Sequence, residues 1–349
     1  MPADARDISR AVFAYYRWRG WLDRSPPIAA QVSQSLELAR RFAETPGSFP
    51  DAELMARAVP AWAQEEMEIT ADWARSIQEE PVLWLRAKQG QGEALARKLG
   101  SGAVYAPAAA TESGEATLPD ALLYEGELDL FRTPEFQAGE FEIQDISSQA
   151  VGRLCDPKPG EMWWDACAGE GGKLLHLSDL MQNKGLIWAS DRADWRLKKL
   201  KLRAARAKCF NYRSVPWDGG AKLPTKTKFD GVLMDAPCSN IGTWQRNPHA
   251  RWTTTTQDVR ELADVQQRLL AHAARAVKPG GRLIYSVCTL TRAETSAVAA
   301  AFEGKFPDFT PLPLANPFDP AVTPAPRLCL WPQQSGGNGM FIAAWRRAA

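Results

Sequence analysis

The chain has 349 residues, enough for about two or three domains and for a sizeable buried core. Its 42 Lys and Arg against 41 Asp and Glu leave a net charge of +1, which excludes a polycation that binds nucleic acid through bulk charge. Hydrophobic residues at 45% and charged residues at 24% are those of an ordinary globular protein, and the apolar runs are too short to span a bilayer. The polar start, Met1 to Asp7, carries no signal-peptide core, so a cytoplasmic protein with no membrane partner is expected.

In chain order, residues 1–80 read as a helical segment. Ala11 to Tyr16, Ile28 to Phe42 and Ala52 to Trp73 carry apolar residues at helical spacing, punctuated by Pro26-Pro27 and Pro46-Gly47. Residues 81–145 read as a small α+β domain: Val82 to Leu85 is a strand, Gly92 to Leu99 a short helix, and the polar Thr111 to Thr117 a loop. From residue 146 to 349, short apolar strands alternate with helices. Met162 to Asp165, Leu186 to Asp191, Cys209 to Arg213, Gly231 to Asp235 and Arg282 to Ser286 are predicted strands; Trp195 to Lys208 and Val259 to Val277 are predicted helices. That alternation predicts an α/β, Rossmann-like parallel sheet with helices on both faces, which binds ligands at the carboxyl ends of its strands.

Several polar residues fall at those ends. The first strand runs into Cys167-Ala168-Gly169-Glu170-Gly171-Gly172-Lys173 and then a helix, so glycines permit close backbone approach and a helix N-terminus offers free N–H groups. A nicotinamide-binding loop uses the same physics, although the GxGxxG spacing is not met. Asp191 ends the second strand, where a carboxylate can accept from both ribose hydroxyls. Asp218, after Pro216-Trp217, is placed to accept from an adenine amino group. Each aspartate alone also suits a turn or helix cap; the ordered set of loop, Asp191 and Asp218 points to a nucleoside.

Six cysteines occupy positions 155, 167, 209, 238, 288 and 329 with no CxxC pair, so neither a metal site nor a disulfide framework is expected. Burial as small apolar residues accounts for Cys155, Cys209 and Cys329. It does not account for Cys238, in Asp235-Ala236-Pro237-Cys238-Ser239-Asn240-Ile241-Gly242-Thr243-Trp244-Gln245-Arg246-Asn247-Pro248, or for Cys288, in Tyr285-Ser286-Val287-Cys288-Thr289-Leu290. Each lies at or just past a predicted strand end. Eight basic residues between Arg192 and Lys208, opposed by Asp194 alone, form a stripe that suits either phosphates or plain solvation.

With these segments in view, the chain resembles the RsmB/Sun-type RNA (cytosine-5) methyltransferases over about residues 125 to 346. The family patterns DxCAAPGGK, DAPCSGxGTxRRNP and Y(S/A)TCS correspond to Cys167–Lys173, Asp235–Pro248 and Tyr285–Thr289. Gln144 to Gln149 resembles the lead-in to the domain, and Leu330-Trp331-Pro332 with Gly339 to Ala343 its close. The departures are Glu170 for proline, Asn240 for glycine, Gln245 for the first arginine, Val287 for threonine and Thr289 for serine.

The resemblance implies a class I methyltransferase sheet, S-adenosyl-L-methionine as cofactor, and RNA as partner, with ribosomal RNA the first expectation and tRNA the alternative. The residues 81–145 unit is expected to be RNA-binding-like and the chain a monomer. It assigns attack on the base to Cys288, product release to Cys238, the pyrimidine N3/N4 edge to Asp235, and cofactor contacts to Cys167–Lys173, Asp191, Asp218 and Asp235. Arg246, Arg251 and the basic helix are then expected to hold phosphates. Two rivals stand beside it. A DNA cytosine-5 methyltransferase shares Pro237-Cys238 but not Cys288 or the match through Asn247-Pro248. A catalytically silent RNA-binding assembly factor would not need both cysteines.

Overall fold

The computed structural model describes residues 3–106 and 118–349; the expected loop Thr111 to Thr117 lies outside them. The chain opens with helices α1 (Ala3–Arg17), α2 (Ile28–Glu44), α3 (Asp51–Arg57), α4 (Ala63–Glu66) and α5 (Ala71–Ser76). The stretch expected to be helical from Ala52 to Trp73 is thus three short helices. Pro60 supplies no N–H to continue α3, and the Thr70 side chain accepts from Trp73 N–H to start α5 afresh. Trp18, Trp21, Phe42 and Phe49 meet edge-on or tilted at 5.0 to 6.5 Å between ring centres, and form the heart of this helical segment.

Next come β1 (Leu83–Ala87), α6 (Gly92–Leu99), β2 (Gly102–Val104), β3 (Ala121–Tyr124), α7 (Pro134–Gln137) and β4 (Phe141–Ile143). The four strands form an antiparallel sheet in the order β2-β3-β1-β4. The remaining elements are α8 (Ile146–Cys155), β5 (Met162–Asp165), α9 (Gly172–Leu180), β6 (Leu186–Ala189), α10 (Asp194–Arg206), β7 (Tyr212–Ser214), β8 (Phe229–Asp235), α11 (Thr256–Ala274), β9 (Val277–Val287), α12 (Ser296–Lys305), β10 (Phe309–Pro311), β11 (Arg327–Leu330), α13 (Pro332–Ser335) and β12 (Met340–Arg347).

The large sheet runs β10-β12-β9-β8-β5-β6-β7, with β11 also on β12. The pairs among β9, β8, β5, β6 and β7 are parallel, whereas β12 runs antiparallel to β9 and β10. Strand order reverses between β5 and β8, the position at which such sheets open a crevice for ligand. Adjacent tryptophans in β5 explain why it lies at the centre. Trp163 faces the core formed with α8, α9 and α10, and Trp164 the core formed with α11 and α12, so the strand is covered on both faces. This is the class I methyltransferase fold, the α/β arrangement expected from the sequence.

The predicted strand Cys209 to Arg213 is shifted to Tyr212–Ser214, because Cys209 and Asn211 belong to the turn that α10 ends in. β9 starts earlier than expected, at Val277, since Pro279-Gly280-Gly281 is absorbed by a register shift opposite Phe229 and Gly231. The helical segment does not stand apart. Its core contains Ile241, Trp244 and Leu290, which belong to the loops after β8 and β9, and Arg292 N–H donates to the Glu66 carbonyl at 2.8 Å.

Candidate functional site

The two strand ends that matter are locked together by pairing. β8 and β9 run parallel with Asp235 opposite Ser286, so they finish at one level of the sheet. Three residues beyond Asp235 comes Cys238, and two beyond Ser286 comes Cys288. Their sulfurs are 3.4 Å apart, both thiols being free. Cys238 is buried and Cys288 half-buried. The hydrogen bond to Cys288, burial, and then the charges of Cys288 and Glu294 push the Cys238 thiol well above the usual range.

Asn240 stands where the family carries glycine. It keeps the left-handed backbone that glycine would supply, at φ 59°, as asparagine does more readily than most residues. Its side-chain carbonyl accepts from the Cys288 thiol at 3.0 Å, while its amide donates to the Cys238 carbonyl at 2.9 Å. Gly242 in the same loop has no substitute: a Cβ there would lie 1.9 Å from the Gly339 carbonyl oxygen, at the entry to β12.

Asp235 faces the cleft from the end of β8. Lys173 Nζ donates to its Oδ2 at 2.6 Å, and the Ser286 hydroxyl donates to Oδ1 at 2.7 Å. Burial alone would lower the Lys173 pKa, but the charge and hydrogen bond of Asp235 outweigh it and the net shift is upward. Beside them lies Asp165, 1% exposed, which the sequence reading did not single out. Neither of its oxygens has a well-formed hydrogen bond. Burial, then the Asp235 charge, push its pKa up to about 8, against Lys173 and a weak pull from the Cys167 N–H.

The glycine loop completes the floor. Gly171 has φ +88°, and a Cβ there would meet Leu200 at 2.8 Å, so the residue must be glycine to let α10 approach. Gly169 N–H donates to Asp191 Oδ2 at 3.0 Å, and Ala193 N–H donates to Oδ1 at 2.8 Å. Asp191 therefore already fastens the loop, with lone pairs to spare. Asp218 is exposed on the opposite wall and caps its own turn, accepting from Gly220 N–H at 2.8 Å. Glu170 is answered by Lys199 Nζ at 2.9 Å, so this departure from the family pattern adds an ion pair at the rim rather than a bare anion.

One cleft of about 710 Å³ is lined by Cys167, Ala168, Gly169, Glu170, Gly172, Lys173, Asp191, Asp218, Asp235, Cys238 and Cys288 together. Gly171 underlies it. An orphaned, buried carboxyl at one end and a surface aspartate at the other, with an open glycine loop between, suit a nucleoside carrying a charged amino-acid tail. Among the described residues no cluster of His, Cys, Asp and Glu is arranged to hold a metal.

Two expectations are corrected. Arg251 cannot hold a phosphate, because it is fully buried and donates to Gln78 Oε1 at 2.9 Å, to the carbonyls of Ala58 and Trp244, and to Ile77 O. Arg246 is likewise committed to Asp145, Val82 O and Asn338. Arg251 ties its loop to the helical segment before it, and Arg246 ties its loop to Val82, Asp145 and the loop that leads into β12. On α10, Arg203 and Arg206 both pair with the buried Glu142 of β4. What α10 presents outward is Lys198 and Lys201, followed by Lys208 in the turn after it, with Trp195 at the cleft rim and Arg196 and Lys199 over its ring at 5.3 and 5.0 Å.

The family model for 16S rRNA methyltransferase RsmB/F matches residues 153–346. The chain belongs to this family. Among its RsmB/F relatives, the probable ribosomal RNA small subunit methyltransferase B of Bacillus subtilis is 38% identical over 218 residues, covering 61% of this chain and 49% of that one. Ribosomal RNA small subunit methyltransferase B of Xylella fastidiosa is 32% identical over 304 residues, covering 81% and 67%. The chain spans about half the length of the first curated relatives it matches. Of solved structures, a methyltransferase homolog from Pyrococcus horikoshii superposes with a TM-score of 0.62 at 26% identity, over 79% of this chain and 90% of that one. NSun6 from the same organism, at 19% identity and a TM-score of 0.66 over 80% and 94%, shares the fold.

Proposed function

We propose that this protein uses S-adenosyl-L-methionine to methylate carbon 5 of a cytosine in small-subunit ribosomal RNA, through a covalent adduct of Cys288. The observation that carries the reading is the pair of free thiols 3.4 Å apart, at the ends of adjacent strands, beside the Lys173–Asp235 pair. The names of the RsmB/F relatives support ribosomal RNA as the substrate.

Carbon 5 of cytosine is a poor nucleophile until a thiolate adds at carbon 6 and leaves the ring enamine-like. Cys288, half-buried and facing the cleft, is the thiol with access to an unstacked base. Asp235, held by Lys173 and Ser286, presents a fixed carboxylate to the N3/N4 edge and favours the protonated adduct. When bound along the glycine loop, S-adenosyl-L-methionine supplies an electrophilic methyl group to carbon 5. Loss of the carbon-5 proton and expulsion of the Cys288 thiolate then restore the aromatic ring, with Cys238 assisting release. Splitting one hard substitution into two easier steps is what covalent catalysis contributes. Asp191 would hold the ribose hydroxyls, Asp218 the adenine edge, and Asp165 the methionine end of the cofactor, all three lining the same cleft.

The test is transfer of tritiated methyl from S-adenosyl-L-methionine to small-subunit ribosomal RNA, followed by digestion to nucleosides. Label in 5-methylcytidine is expected; label confined to another nucleoside overturns the reading.

A further inference from the structure

Glu294, in the loop after β9, is a fully buried carboxylate that the chemistry above does not use. Its Oε1 accepts from the Ser239 N–H and from the Gln266 side-chain amide, each at 2.9 Å. Its Oε2 accepts from the hydroxyls of Thr291 at 3.0 Å, Thr289 at 3.2 Å and Ser239. The Ser239 and Thr289 hydroxyls also meet each other at 2.9 Å. Behind it, the Tyr285 hydroxyl donates to the Glu294 carbonyl at 2.7 Å and fixes the backbone.

Two features set this apart from ordinary packing. Every one of these side-chain partners is neutral, so an anion has been taken out of water with no cation to offset the cost. And the partners are chosen by position: Ser239 directly follows Cys238, and Thr289 directly follows Cys288. The sulfurs are held 3.4 Å apart by loops that this one carboxylate joins.

We propose that Glu294 is a positioning residue that clasps the two cysteine loops together and keeps a negative charge behind Cys238, so that Cys288 rather than Cys238 supplies the thiolate. The charge acts in the required direction, since it adds to the effects that hold the Cys238 thiol protonated. The inference rests on the reading that both thiols act on the base.

Two variants separate geometry from charge. Glu294→Gln keeps the shape and removes the charge; two of the three hydroxyls around Oε2 can turn to accept from the two N–H groups of the new amide. Glu294→Asp keeps the charge and shortens the reach. Iodoacetamide labelling of each cysteine, read by mass spectrometry without RNA, reports the thiols directly. In Glu294→Gln, Cys238 should label severalfold faster than in the parent at pH 8, since a charge that disfavours its thiolate is gone. Its kcat should fall at least about tenfold with KM for the RNA unchanged, an arrangement lost rather than a binding contact. Glu294→Asp should lose kcat while Cys238 labels at the parent rate. Parent labelling of Cys238 or parent kcat in a folded Glu294→Gln protein overturns the proposal. Should that variant fail to fold, Thr291→Val removes one limb of the clasp and keeps the charge. A severalfold loss of kcat is then expected, and parent kcat overturns it. Because labelling needs no RNA, failure of the clasp is distinguishable from failure of the RNA reading, which would show as no methyl transfer by the unaltered protein.

Discussion

Replacing Lys173 by Met is the perturbation whose size follows most directly from the site. Its ammonium is 2.6 Å from Asp235 Oδ2, with the two side chains 11% and 28% exposed. Coulomb's law at an effective dielectric constant of about 20 gives an attraction of about 6 kcal/mol at that distance. Screening by water at the part-exposed Asp235 and local relaxation take up a large part, which leaves a coupling of about 2 kcal/mol, within the usual range for residues sharing one network. Lys173→Met alone strands Asp235 with only the Ser286 hydroxyl, beside the unpartnered Asp165, and should cost about 3 kcal/mol. Asp235→Ala alone strands the buried ammonium and should cost a similar amount. The double variant removes both charges and should cost less than the sum by about the coupling energy. Urea denaturation of the four proteins, with unchanged slopes, measures the cycle. Additivity within about 0.5 kcal/mol would refute the view that these groups form one electrostatic unit.

Asp191→Ala should weaken S-adenosyl-L-methionine binding more than tenfold by calorimetry, since the proposed ribose contacts and the anchor on Gly169 N–H would be lost together; unchanged affinity would remove Asp191 from the site. Reversing Lys198, Lys201 and Lys208 to Glu should weaken ribosomal RNA binding and flatten its dependence on salt, whereas an unaltered salt slope would leave this basic stripe a solvated face. Asp165 has its pKa raised from 3.8 to about 8 in the folded protein, so the native state keeps a proton that the unfolded chain releases. That contribution to stability is full below pH 4 and is lost as the pH rises to about 8, at up to about 1.4 kcal/mol per unit. Asp165→Asn should abolish this slope in denaturation curves at pH 5 and pH 8; an undiminished slope would show that Asp165 does not carry it.

The chemistry-bearing loops were legible because their residues are costly for packing alone: two cysteines past strand ends, and a carboxylate closing an apolar strand. β5 and α6 were read to the residue, since strong patterns bounded by proline and glycine leave little freedom. Arg251 and Arg246 were misread because a sequence does not say which arginine is buried. Their partners, Gln78 and Val82 among them, lie about 170 positions away, in segments that the sequence presents as separate. Glu294 was invisible for the same reason: Ser239 and Gln266 reach it from other elements. Asp165 had a signal, an acid at the end of Met162-Trp163-Trp164, but its lack of a partner exists only in three dimensions.

Covalent catalysis by two thiols with unequal roles is the central claim, and denaturing electrophoresis of single-cysteine variants mixed with S-adenosyl-L-methionine and small-subunit ribosomal RNA tests it most directly. Removing the attacking thiol prevents any adduct, whereas removing the releasing thiol leaves the methylated RNA attached. Cys288→Ala should therefore give neither adduct nor product. Cys238→Ala should accumulate a protein–RNA species that survives denaturation and disappears in the double variant. Trapping by Cys288→Ala with none by Cys238→Ala would exchange the roles, and full activity in both single variants would contradict covalent catalysis altogether.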